Sequence, residues 1–231
     1  MFKKVGIVCA IIEEIKPYTE HILNKTTSSY LSLDFICGKL DGRQVVAVEC
    51  GTGKTNASFA ASLLISRYGV DAIIVSGVGG GMDKSLAIFN TVISEYSAHH
   101  DVAAEFQTDY RPWLADIWMS ADSALLAAAK RGILGKSYEN STLFGKIVSG
   151  EAFIEDEGRA KIADNFAPLC VDMETASIAQ IAYMTKTSYI AVRTISDTED
   201  SDGIDTFKQN CGIAAEKSFE IVRLMLKHLE A

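Results

Sequence analysis

Tyr189-Ile190-Ala191-Val192-Arg193-Thr194-Ile195-Ser196-Asp197 is an almost unbroken apolar run that stops on a hydroxyl and an acid. Just upstream, Cys170-Val171-Asp172-Met173-Glu174-Thr175-Ala176 is a shorter run that gives way to a helix at a second acid, Glu174. Continuous rather than alternating hydrophobicity marks strands covered on both faces, the pattern of parallel sheets flanked by helices. In such sheets ligands bind beyond the carboxyl ends of the strands, so one cleft could hold Glu174 and Asp197 together.

The alternation extends through the chain. Lys4 to Ala10, Leu31 to Cys37, Gln44 to Cys50, Asp71 to Ser76, Thr91 to Ser97, Leu143 to Ser149, Leu169 to Met173 and Ser188 to Ser196 read as strands. Glu13 to Asn24, Lys54 to Tyr68, Ala121 to Arg131, Asp156 to Asn165, Glu174 to Met184 and Thr206 to Leu229 read as helices. The turn Gly38-Lys39-Leu40-Asp41-Gly42-Arg43 contains Asp-Gly and favours an antiparallel hairpin between two of the strands. The expected fold class is therefore α/β, three-layer α/β/α with a mixed, mostly parallel central sheet. Residues 1–231 are expected to form a single domain, since no linker, repeat or low-complexity tract divides them. Asp101 to Trp118, which carries Pro112, Trp113 and Trp118, has no clear period and fits either a functional loop or irregular packing.

A net charge of −8 and a pI near 5.0 argue against nucleic acid as a partner and favour small ligands or proteins. Apolar residues make up 48% of the chain, enough for a core, yet no run has the length of a bilayer-spanning helix. The start, Met1 to Ala10, is too short an apolar stretch for a signal peptide and runs into Glu13 and Glu14, so a first buried strand is the better reading. Five cysteines, at 9, 37, 50, 170 and 211, show neither a disulfide framework nor a metal-ligand spacing. They suit reduced core positions in a cytoplasmic protein, and no metal or organic cofactor is expected.

Several further positions admit more than one reading. Gly77-Val78-Gly79-Gly80-Gly81 follows a strand as a turn that would let backbone approach a ligand, but it matches neither the P-loop nor the dinucleotide spacing. Cys50-Gly51-Thr52-Gly53-Lys54-Thr55 imitates a P-loop ending, yet Val48 stands where that motif needs glycine, and a tight turn into a helix near Lys54 is favoured. Glu13 and Glu14 suit either the positive end of a helix dipole or chemistry. Of His99 and His100, neighbours on a strand, at most one could point inward. Glu14, Glu174 and Asp197 are harder to dismiss together than singly, because an edge so charged would otherwise only repel itself.

Assembled, these segments resemble the nucleoside phosphorylase and nucleosidase superfamily, and within it most closely the 5'-methylthioadenosine/S-adenosylhomocysteine nucleosidases. The similarity rests on Gly6 to Glu14, Gly51 to Lys54, the glycines after Ser76, Val148-Ser149-Gly150-Glu151-Ala152-Phe153-Ile154, Val171 to Ala176 and Val192 to Asp197. It implies cleavage of the N-glycosidic bond of a purine nucleoside. By that resemblance Asp197, positioned by Ser196, would protonate the purine N7, and Glu14 would activate the attacking water. Glu174 would accept hydrogen bonds from the ribose hydroxyls, and Met173 would pack under the sugar. Phe153 would stack on the purine, the Ile154 backbone would read its edge, and Phe207 would close the pocket. A homodimer is implied in the same way.

Two departures stand out. Val78 occupies a place where the family commonly carries serine, and His100-Asp101-Val102-Ala103-Ala104-Glu105-Phe106 continues differently from the usual segment, which serves the dimer interface and the pocket for the sulfur-bearing tail. The 5' group is therefore left open among methylthio, homocysteinyl, deoxy or a larger carboxylated group such as that of futalosine. The nearest rival is a phosphorylase, disfavoured because Glu13 and Glu14 would repel phosphate. A nucleoside-binding protein without catalysis is the alternative of another class.

Overall fold

The computed structural model describes residues 2–110, 114–154, 156–199 and 203–229. Pro112 and Trp113 lie outside the described residues. The strands are β1 (Lys4–Cys9), β2 (Leu23–Tyr30), β3 (Leu33–Leu40), β4 (Arg43–Glu49), β5 (Ala72–Gly81), β6 (Thr91–His99), β7 (Met119–Ser120), β8 (Thr142–Ser149), β9 (Cys170–Asp172) and β10 (Ser188–Asp197). The helices are α1 (Ile12–His21), α2 (Lys54–Ser66), α3 (Ala104–Thr108), α4 (Ser123–Ile133), α5 (Asp156–Phe166), α6 (Thr175–Thr185) and α7 (Gly203–Lys227).

All ten strands join one sheet, and β5 pairs with β10 as well as with β9, so β5, β10, β6, β8 and β9 close into a ring. The central ladders β4–β1, β1–β5, β5–β10, β6–β8 and β8–β9 are parallel, while β2–β3–β4 and the contacts of β6 with β10 and β7 are antiparallel. This is the mixed sheet expected, with helices on both sides. α1, α4 and α7 pack on one side, where Tyr18, Leu125, Phe219 and Met225 are fully buried. On the other, Ala57, Ala60 and Leu64 of α2 and Ile178 of α6 cover Val8, Val48 and Ile73. The alanines at 57 and 60 let the helix lie close to the sheet.

Two expectations are corrected. The helix expected over Glu13–Asn24 ends at His21, and β2 begins at Leu23. Asn24-Lys25-Thr26-Thr27-Ser28-Ser29 shows no apolar alternation because β2 is a solvent-facing edge strand, where charge and hydroxyls discourage further pairing. The Gly77–Gly81 stretch is not a turn but the last half of β5, buried throughout. The expected hairpin does form, closing on Asp41 and Gly42 with φ of 47° and 83°. Within the aperiodic 101–118 stretch, only the short α3 is regular among the described residues.

Among the described residues no helix is long and apolar enough to cross a membrane. α7 crosses α4 at Gly132, where an added Cβ would lie 2.9 Å from the Leu224 carbonyl carbon and oxygen. Gly132→Ala should therefore cost about 1–3 kcal/mol, the range for overpacking a tight contact. Chemical denaturation measures it, and an unchanged midpoint would show that these helices part without cost.

Candidate active site

Four strands end at one place. β1 leads into α1, β5 ends in glycine, β9 leads into α6, and β10 ends at Ser196 and Asp197. Between these ends lies a cavity of about 200 Å³, lined by Glu14, Val78, Phe153, Met173, Glu174, Ser196, Asp197 and Phe207 among others. It is small for a ligand site. Ile154 borders an adjoining recess with Phe153, Met173 and Asp197. Glu14, Val78, Phe153, Met173, Glu174, Ser196, Asp197 and Phe207 thus line one cavity, while Ile154 lies at its neighbour and Glu13 lines neither.

Glu14 sits in the first turn of α1, and its side chain turns back on the chain. Oε2 accepts from the backbone N–H of Ala10 at 2.6 Å and Ile11 at 3.4 Å, and Oε1 accepts from the Val78 N–H at 2.8 Å. The same carboxylate accepts from the backbone at the start of α1 and lines the cavity. Glu174 precedes α6, and Oε1 accepts from the Gly53 N–H at 2.8 Å. Gly53 has φ of 97°, which glycine adopts without strain. The Gly51-Thr52-Gly53-Lys54 turn does open a helix, α2, but it also donates this N–H to the cavity acid.

What gathers the acids is Arg193, 1% exposed in the middle of β10. Its Nε donates to Asp172 at 2.7 Å, Nη2 to Glu174 at 3.0 Å, and Nη1 reaches Glu14 at 3.5 Å. Asp172 is held further by Ser149 and Thr175. The β5 glycines make this possible. A Cβ on Gly77 would fall 2.0 Å from Glu14 Oε1 and 2.7 Å from Arg193 Nη1, and one on Gly79 would fall 2.5 Å from Cys170 Sγ.

One guanidinium cannot balance three buried carboxylates. Burial pushes Glu14 above the usual carboxylate range, against the pull of Arg193 and three backbone N–H groups. Burial likewise pushes Glu174 up to about 7, opposed by Arg193 and reinforced by Asp172 and Glu14. The two carboxyls gain from Arg193 but lose more by leaving water.

Asp197, 2% exposed, accepts from Ser196 Oγ at 2.8 Å and from Arg159 Nη2 at 2.8 Å. Burial raises its pKa, and Ser196 and Arg159 hold it back. Phe153, 36% exposed, meets Phe207 edge-on with centroids 6.0 Å apart, forming an apolar wall at the mouth. Val78 contributes its backbone N–H and an apolar side chain. His99 Nε2 lies 3.0 Å from Gln180 Oε1 on α6, and neither His99 nor His100 lines the cavity.

Arg193, Asp172 and Arg159 were not singled out from the sequence. An arginine inside Ile190-Ala191-Val192-Arg193-Thr194-Ile195 was the available signal, because a buried charge needs buried partners. Arg159, on an ordinary helical stretch, carries no such mark. Among the described residues no group of three or more His, Cys, Asp or Glu side chains is arranged to hold a metal ion.

Comparison with known proteins comes to the same place. The family model described as the phosphorylase superfamily matches residues 4–227. A 5'-methylthioadenosine/S-adenosylhomocysteine nucleosidase from Shewanella loihica is 32% identical over 231 residues, covering 98% of this chain and all of that one. One from Colwellia psychrerythraea is 34% identical, covering 98% of this chain and 97% of that one. The crystal structure of the Neisseria meningitidis nucleosidase in complex with methylthio-immucillin-A superposes with a TM-score of 0.91 at 31% identity, over 97% of this chain and 99% of that one.

The raised Glu174 pKa has a consequence for stability. Below its unfolded value both states hold the proton; between there and about 7 only the folded state does; above about 7 the folded state bears a buried charge that the unfolded chain hydrates. This group therefore weakens the fold as pH rises. Relative to wild type, Glu174→Gln should gain stability between about pH 5 and 8, on the order of 3 kcal/mol. Denaturant curves across that range test it, and a pH-independent difference would refute it.

Proposed function

Because this chain belongs to the phosphorylase superfamily, and within it to the 5'-methylthioadenosine/S-adenosylhomocysteine nucleosidases, we propose that it hydrolyses the N-glycosidic bond of a 5'-modified adenosine, releasing adenine and a 5'-substituted ribose. The observation that carries this reading is the convergence of Glu14, Glu174 and Asp197 on one small cavity.

The reaction breaks the bond between C1' of the sugar and N9 of the purine. The bonding pair leaves with the base, so the sugar gains positive charge and the base negative charge. Asp197 gives its proton to the purine N7, which makes the departing base neutral. Burial raises its pKa, which widens the pH range over which the acid is loaded. Glu14 accepts a proton from the water that attacks C1'. A buried carboxylate whose pKa is raised is a stronger base than one in solvent, which suits this task.

Glu174 accepts hydrogen bonds from the ribose hydroxyls, and its charge favours the cationic sugar. Met173 packs under the ribose. Phe153 and Phe207 enclose the purine, with the Ile154 backbone at its edge. Val78 offers no hydroxyl, so on this side the ligand meets only apolar surface. Water rather than phosphate is the nucleophile, since the acids around Arg193 leave no net positive charge for an oxyanion.

We further infer that residues 1–231 act as one domain, that the protein is cytoplasmic with reduced cysteines, and that it forms a homodimer. The support is respectively the single sheet, five cysteines with free thiols, and the exposed Phe106–Tyr110 pair, stacked with centroids 5.3 Å apart, in the 101–118 segment.

Free base should appear from methylthioadenosine, S-adenosylhomocysteine or 5'-deoxyadenosine in phosphate-free buffer. Glu14→Gln and Asp197→Asn should each lower kcat by about 10²–10⁴ while remaining folded. Absolute dependence on phosphate would refute hydrolysis, and wild-type turnover in either variant would remove its role.

A further inference from the structure

One buried charge, in contact with Asp197 behind the cavity wall, has no part in the reaction as drawn above. Arg159, on α5, is 5% exposed; its Nη1 donates to the Gly81 carbonyl at 2.6 Å, and its Nη2 donates to Asp197 Oδ2 at 2.8 Å. The guanidinium thus bridges the last residue of β5 and the last residue of β10. Gly80 leaves room for it, since a Cβ there would lie 3.2 Å from Asp197 Oδ2 and 3.3 Å from Arg159 Nη2. A helix arginine buried at this depth, with one nitrogen on a backbone carbonyl and another on a carboxylate, is a built contact.

We propose that Arg159 is a positioning residue for departure of the base, fixing the Asp197 carboxylate and holding its negative charge once the proton has gone to the purine. The inference rests on the reading of Asp197 as the acid. A guanidinium only donates, so Oδ2 is engaged as an acceptor and the proton is favoured on Oδ1, beside Ser196. Ser196 Oγ lies 2.8 Å from Oδ1 and 3.3 Å from the Gly79 carbonyl. It can donate to the carboxylate when Asp197 is ionised, or turn to Gly79 and accept when Asp197 is protonated. As the C1'–N9 pair moves onto the base, the Oδ1 proton moves to N7 and the O–H pair stays on Asp197, next to Arg159. Nothing is oxidised or reduced.

Two groups oppose burial at Asp197, the Ser196 hydroxyl and the Arg159 guanidinium, and of the two Arg159 carries the charge. Behind the β5 glycines, β9 presents Cys170, whose thiol burial keeps protonated and neutral. Asp172, also at the cavity wall, is paired with Arg193. α7 presents the Asn210 amide, which donates to the Ser196 carbonyl at 3.0 Å. Among the described residues the one ion pair that Asp197 makes is with Arg159. The arrangement makes Asp197 a stronger acid that is loaded over a lower pH range than burial alone would allow.

The test is the pH profile of methylthioadenosine hydrolysis by wild type, Arg159→Gln, Arg159→Met and Arg159→Lys, with folding checked by circular dichroism. Removing the charge should move the alkaline limb of kcat/KM up by about one pH unit or more. It should also lower the plateau of kcat by about ten-fold or more, because a weaker acid protonates N7 less readily. Arg159→Lys should restore the limb. Should Arg159→Gln fail to fold, Arg159→Met carries the same comparison. A fall in rate by one factor at every pH, or no change at all, would overturn the proposal while Asp197→Asn remained inactive. If Asp197→Asn is active, or wild type releases no base, the reading of Asp197 falls and this inference falls with it.

Discussion

Arg193 is the constraint around which the site is organised. A guanidinium in the interior is tolerable only when acceptors meet its charge, and here each of its three nitrogens faces a carboxylate, from α1, from β9 and from the start of α6. Elements distant in sequence are therefore held to one point: Glu14 and Arg193 are 179 residues apart in the chain. The requirement spreads outward. It forces glycine at position 77, where any side chain would strike Glu14, and it places β9 so close to β5 that position 79 has no room either. The ring formed by β5, β10, β6, β8 and β9 gives this cluster a rigid floor.

Two arginines divide the acids of the cavity between them. Arg193 serves the acids assigned to the sugar and the water, and Arg159 serves the acid assigned to the base. The balance differs at each end. Around Arg193 negative charge is in excess, so burial dominates and the acids bind protons more readily than in water. At Asp197 one carboxylate meets one guanidinium, and burial again raises the acid's pKa against the Ser196 hydrogen bond and Arg159. In the proposed reaction this separation suits the chemistry, since one end must tolerate a developing cation and the other must release a proton.

Much of this was legible in the sequence. The apolar runs ending at Ser196-Asp197 and at Met173-Glu174 announced strands buried on both faces, and Glu14 followed from the first run in the same manner. Phe153, Ile154 and Phe207 came from resemblance, because an aromatic residue at a cavity mouth and one in a core look alike in composition. The edge strand β2 was not legible: a strand selected to refuse partners lacks the alternation by which strands are recognised. Nor was the extended path of Gly77–Gly81, since glycine signals turns locally and only the approach of Glu14 and Cys170 reveals why side chains are missing. Arg159 required three-dimensional knowledge altogether.

The acids are anchored to a notable degree by the main chain. Ala10, Ile11 and Val78 supply amide hydrogens to Glu14, and Gly53 supplies one to Glu174. An amide hydrogen is present whatever side chain the codon specifies, proline excepted. Position 78 can therefore exchange a hydroxyl for an isopropyl group without loosening Glu14. The attitude of these acids is in this sense carried by the path of the backbone, which the exchange of a neighbouring side chain leaves in place.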